Sequence, residues 1–154
     1  MTSNLILEVA KENSGILRAT MAGLIERNTA LVDSELADLI AYKSKIEANL
    51  SSPALVLTDE EREEIDQIKK SKEWQDLEIT FKEMISKADT GNFDINPEQF
   101  WTSITTVIDD IGTVVEKSIT KMYNSSNNLM KEFLRTTVLS VSAIILITTF
   151  VIVL

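Results

Sequence analysis

The carboxylates are the side chains best placed to do chemistry in this chain, and they gather in two stretches. One is the run Asp59, Glu60, Glu61, Glu63 and Glu64, interrupted by Arg62; the other runs from Asp89 through Asp94 to Glu98. Oxygen ligands at such spacing suit hard cations, calcium above all. The second stretch opens like a calcium loop, yet it sets Gly91 and Phe93 at the third and fifth positions, where an EF-hand needs oxygen. It reads instead as a turn, with Gly91 stopping one helix and Asn96-Pro97 starting the next. The first stretch reads as the solvated opening turn of a helix, its charges set against the positive end of the helix dipole.

Other chemistry is thinner still. The 154 residues include no Cys and no His. Thiolate catalysis, disulfides and Cys-based zinc sites are therefore excluded, and the commonest general base and transition-metal ligand is missing. The sequence has no P-loop, dinucleotide fingerprint or nucleophile elbow. The expectation is a protein that is not an enzyme, with no catalytic residues, no metal and no cofactor.

The segment 136–154, TTVLSVSAIILITTFVIVL, carries the strongest single signal, with no charge, no Pro and no Gly. A hydrocarbon core about 30 Å thick needs about 20 apolar residues in helical form. The run holds twelve Ile, Leu, Val and Phe residues. Together they favour insertion by something on the order of 4 to 7 kcal/mol. The spacing predicts one transmembrane helix over 136–154, with the lipid bilayer as a partner. Lys117, Lys121, Lys131 and Arg135 against Glu132 make residues 117–135 net +3 in a chain of net charge −9. Such a flank places the preceding domain on the cytoplasmic side of a single-pass, tail-anchored protein. Within the span, Thr136, Ser140 and Ala143 form a small-residue stripe that lets helices approach closely.

Residues 1–135 are expected to form an acidic helical domain. Apolar residues recur in steps of three, four and seven, which is helix periodicity. The reading is a first helix over about 4–50, a second over 59–88 and a third over 97–135. Asp33-Ser34 offers a second start inside the first of these. Ser51-Ser52-Pro53 ends the first, since Pro disfavours helix in the residue before it. Thr58 and Glu61 form a capping box for the second, and Asn96 caps the third with Gln99 completing the cap. Residues 124–128, NSSNN, are the weak point of the third, being polar and poor helix formers. The expected fold is all-α: an elongated antiparallel helical hairpin or three-helix bundle, plus one C-terminal transmembrane helix.

Large rings are the remaining markers. Trp74 and Phe81 sit on the seam of the second helix, and Phe100 and Trp101 open the third. They serve either as core packing or as interface anchors, where Trp is enriched. An acidic body lacks the basic stripe that nucleic acid requires. In organisation, the helical seam joined to an apolar tail resembles tail-anchored helical proteins such as SNAREs and organelle-fission receptors. The expected function is a membrane-anchored scaffold or adapter that forms a homo-oligomer or docks a helical partner, mediating protein–protein interaction through a coiled coil. The alternative is an oligomerising membrane-permeabilising protein: holin-like, a toxin or a defence effector.

Overall fold

The computed structural model describes residues 3–153, and the side chains of 3–145. Among the described residues the regular structure is helical, without strands: α1 Ser3–Arg27, α2 Asp33–Leu50, α3 Asp59–Lys70, α4 Lys72–Ser86 and α5 Pro97–Val153. By its contacts the chain divides into two compact units, residues 1–117 and 118–154.

The all-α expectation stands, but the first unit has four helical rows rather than three. The helix expected over 4–50 is broken at residues 28–32. Asn28 takes a left-handed conformation, φ 50°, which Asn tolerates better than most residues. Its N–H donates to the Leu24 carbonyl, closing α1. Val32 has no side-chain oxygen with which to cap α2, so the Glu35 carboxylate reaches back and accepts its N–H at 3.0 Å. Arg27 clamps the corner with a bidentate pair to Glu35, both contacts at 2.7 Å. The expected second helix also breaks. Ser71 is extended, and its hydroxyl accepts the Trp74 N–H at 3.1 Å, so it ends α3 and caps α4 together. The Thr58–Glu61 capping box is present as expected. Asn96 caps α5 by accepting from Glu98 and Gln99 N–H, whereas the Gln99 side chain points to Asp76 instead of completing the cap.

Side-chain pairs set the topology of this unit. Lys43 of α2 bonds Glu47 and reaches Glu78 of α4. Ser103 of α5 donates to Asp76 of α4, and Lys117 of α5 meets Glu64 of α3. Arg18 of α1 donates to Thr105 of α5. Rows α1, α2, α3–α4 and α5 therefore alternate in direction, which short connections favour. Between them lie Leu7, Leu17, Met21, Leu39, Ile46, Leu77, Met84, Ile104 and Ile111, all essentially without solvent contact. Each such side chain contributes about 1.5–3 kcal/mol through burial.

Two loops close one end of the rows. Leu31 N–H donates to the Ala88 carbonyl at 2.7 Å, and Phe93 N–H to the Asn28 side chain at 2.6 Å. Gly91 lies against the other loop with φ +67°, and a Cβ there would stand 2.4 Å from the Thr29 carbonyl carbon.

Helix α5 is unbroken from Pro97 to Val153, and residues 124–128 are helical. Among the described residues no helix is long and apolar enough to cross a membrane. The expected span 136–154 lies partly outside the described residues, since the side chains of 146–153 and all of residue 154 fall beyond them.

Gly91→Ala adds both a clash with backbone and a disfavoured φ, and should cost at least about 2 kcal/mol. Gly23→Ala meets open space within a helix and should add about 0.5–1 kcal/mol. Thermal unfolding followed by circular dichroism checks the opposite signs. The Arg27 hydrogen bonds, with help from the Val32 N–H, lower the Glu35 carboxyl from its ordinary 4.5 to about 2. A depressed carboxyl contributes stability above its ordinary value and loses it as pH falls from 4.5 towards 2. In Arg27→Ala the Glu35 carboxyl should titrate back near its ordinary range by carboxyl-selective NMR. Acid unfolding should then lose part of its slope in that window.

Candidate functional site

Several clefts of the first unit carry charged side chains in their walls. One of about 330 Å³ lies between α4 and the loop before α5, with Asp76, Glu83 and Asp94 against a single cation, Lys87. Lys87 is engaged there by Glu83 at 2.6 Å, and this pair together with the Asp94 N–H lowers the Glu83 carboxyl. A second cleft, about 380 Å³ between α3 and α5, sets Glu64 and Asp110 beside Lys117. Lys117 bonds one Glu64 oxygen at 2.5 Å; the other is buried without a hydrogen-bond partner. Burial, and then the charges of Glu73 and Asp109, push the Asp110 carboxyl up. A third cleft of about 210 Å³ includes Arg62 and Lys69. Lys69 donates there to the Leu50 carbonyl and the Ser51 hydroxyl, at the negative end of α2. The first two clefts hold more acids than cations and disfavour an anion, whereas the third sets Arg62 and Lys69 against Asp66.

Lys11, Arg27, Lys43, Lys87 and Lys117 are ion-paired. Lys43 is the extreme case. Only 5% of it is exposed, and it lies 5.4 Å from the Trp74 ring and 5.7 Å from Phe81. A buried ammonium survives only when paired, and Glu47 and Glu78 supply that pairing. Trp74 and Phe100 are themselves buried, and Phe81 packs against the same core. These three of the four expected interface anchors therefore serve the interior. Lys117, expected at the membrane flank, is tied to Glu64.

Arg18 is different. It is half-buried on α1, and its guanidinium carbon stands 4.7 Å from the centre of the Trp101 ring. One nitrogen donates to the Thr105 hydroxyl at 3.0 Å. No ion pair engages it among the described residues. The surroundings explain why. Residues 13–25 of α1 and 99–108 of α5 contain no carboxylate, although the chain as a whole has 24. Trp101, the fourth expected anchor, is 48% exposed and forms the floor of this site. Arg18 thus presents its planar guanidinium over Trp101 with one N–H directed to Thr105. A planar fork of this kind matches two oxygens of an oxyanion.

Sequence reasoning did not single out Arg18. The signal was present as an isolated Arg in a long carboxylate-free window, but its partners are 83 and 87 positions away and only the fold brings them together. No group of His, Cys, Asp or Glu able to hold a metal ion occurs among the described residues.

No curated protein and no solved structure matches the chain. A family model described as nitrate and nitrite sensing matches residues 5–122. That match takes in every helical row of the first unit and reaches past its end. The match covers more than half of the chain, and the chain belongs to the nitrate and nitrite sensing family.

Proposed function

We propose that this protein is a membrane-anchored sensor module in which the helical bundle takes up a small planar oxyanion of the nitrate or nitrite class at Arg18. The observation that carries the reading is the Arg18 guanidinium: placed over the Trp101 ring, bonded to Thr105, and set between residues 13–25 and 99–108, which hold no carboxylate. Nitrate is weakly hydrated and planar, so stacking and a two-pronged hydrogen bond suit it better than a point charge does. The acidic body repels anions in general, and a neutral window is needed for one to be held.

The scaffold role expected from the sequence enters here in narrower form. Residues 136–154 anchor the module in a bilayer, and the +3 flank keeps the bundle on the cytoplasmic side. Helix α5 carries Trp101 and Thr105 in its first turns and runs on through 118–153. Occupancy at Arg18 biases the packing of α5 against α1, and the same helix presents that bias outside the bundle. The permeabilising alternative draws less support. A pore wall needs polar groups turned to water, and the described part of the run offers hydroxyls such as Ser140, which donates back to the Thr136 carbonyl.

Calorimetry or NMR titration of the membrane-reconstituted protein with sodium nitrate tests the reading, with chloride at equal ionic strength as control. Nitrate should shift the Trp101 indole and Thr105 signals, and chloride should not. Arg18→Ala should weaken binding at least about tenfold, equal to about 1.4 kcal/mol. Arg18→Lys should recover little, since an ammonium lacks the fork. Equal nitrate affinity in wild type and Arg18→Ala would remove the site from the account.

A further inference from the structure

The second unit exposes an apolar stripe of unusual regularity. Ile119, Met122, Ser126, Leu129 and Phe133 follow one another in alternating steps of three and four. In the single chain Ile119 is 43% exposed, Met122 56%, Leu129 67% and Phe133 69%. The same alternation continues through Thr136, Ser140 and Ala143 without a change of phase. A repeat averaging 3.5 residues is the seam of a left-handed coiled coil, in which each knob enters a hole on a parallel neighbour.

From this geometry we infer that the seam is closed by a second copy of this chain, parallel and in register. Three features select that occupant. First, the charges avoid the stripe. On the heptad that makes Ile119 and Met122 core positions, Lys121, Lys131 and Arg135 fall on the outer positions, and Glu132 is the one charge beside the seam between residues 118 and 135. Two identical helices therefore meet without setting like charges opposite each other, while a basic or acidic partner helix would find nothing on the stripe to pair with. Second, the large residues precede the small ones. Leu129 and Phe133 fill the aqueous part, where burying apolar area drives association. Thr136, Ser140 and Ala143 follow, where close approach of backbones does so instead. A partner must repeat that change at the same height, and an identical chain does so by construction. Third, Ser126 places one small polar residue between apolar layers. Polar core residues favour the register in which they face themselves.

The parallel arrangement rests on the membrane anchoring proposed above, which holds two copies at one depth; the seam itself rests on spacing and exposure alone. It goes beyond the oxyanion reading because it names what α5 contacts outside the bundle.

The absence of cysteine from the chain makes the test direct. Single cysteines are placed along the seam as Met122→Cys, Ser126→Cys, Leu129→Cys and Phe133→Cys. Off-seam controls are Asn124→Cys, Asn128→Cys and Lys131→Cys. Mild oxidation of the full-length protein in its own membranes is followed by non-reducing electrophoresis, with the mass of the product read by mass spectrometry. The expected result is a disulfide-linked homodimer several-fold more abundant at each seam position than at the controls. Equal yields at all positions, a maximum on the controls, or a product of mixed composition would overturn the inference. Resistance of the protein to alkaline extraction is read in the same samples. If it is extracted yet still crosslinks with seam phase, the anchor fails and the seam stands; if it is retained without phased crosslinks, the seam fails and the anchor stands.

Discussion

Helix α5 has to bury a broad apolar face inside the bundle. Phe100, Ile104, Val107, Ile108, Ile111, Val114 and Val115 are all at or below 9% exposure. They cover more of the helix circumference than a two-helix contact could hide. The requirement orders the rest of the first unit. The chain has to double back at Asn28 and again through residues 87–96 so that α1 and α3–α4 both reach α5. It also leaves a narrow border on α5, at Trp101 and Thr105, where the packing against α1 meets solvent. Arg18 occupies that border.

Charge is the second constraint. The chain holds 24 acids against 15 bases, and in the first unit Lys11, Arg27, Lys43, Lys87 and Lys117 are each ion-paired with a glutamate. Lys43 is the clearest example, an ammonium inside a core and held by two glutamates. Its value lies less in stability than in specificity: a buried pair of this kind is worth little against a well-packed apolar alternative, but breaking it is costly. It fixes the height of α2 against α4. Arg18 is engaged by a ring and a hydroxyl rather than by a carboxylate.

Much of the helical content was legible from periodicity and caps. The Thr58–Glu61 box, the Asn96 cap and the helix stop before Gly91 could all be placed from local chemistry. The start at Asp33 was open in the sequence as an alternative, the break at Ser71 was not foreseen, and each has a local cause. Asn28 ends α1 by adopting a left-handed conformation, which the apolar pattern does not register, and Val32 gives no capping signal because Glu35 supplies it from the other side. Ser71 sits within a charged stretch, where its cap looks like any solvated serine. Lys43 interrupts the seam in sequence yet belongs to it in space, since its charge is met by Glu78 from another row. The site itself was illegible. Trp101 was visible as a ring but not as a platform, and Arg18 acquires its meaning only from contacts more than eighty residues away.

These features make α5 the one element common to the Arg18 border, the bundle core and residues 118–153. Hydrogen–deuterium exchange of the full-length protein in membranes, with and without nitrate, tests that most directly. The account predicts added protection around residues 15–22 and 99–108, together with a change in exchange over 118–135. Unchanged exchange throughout the chain, or a nitrate response confined to the acid-lined clefts, would contradict it.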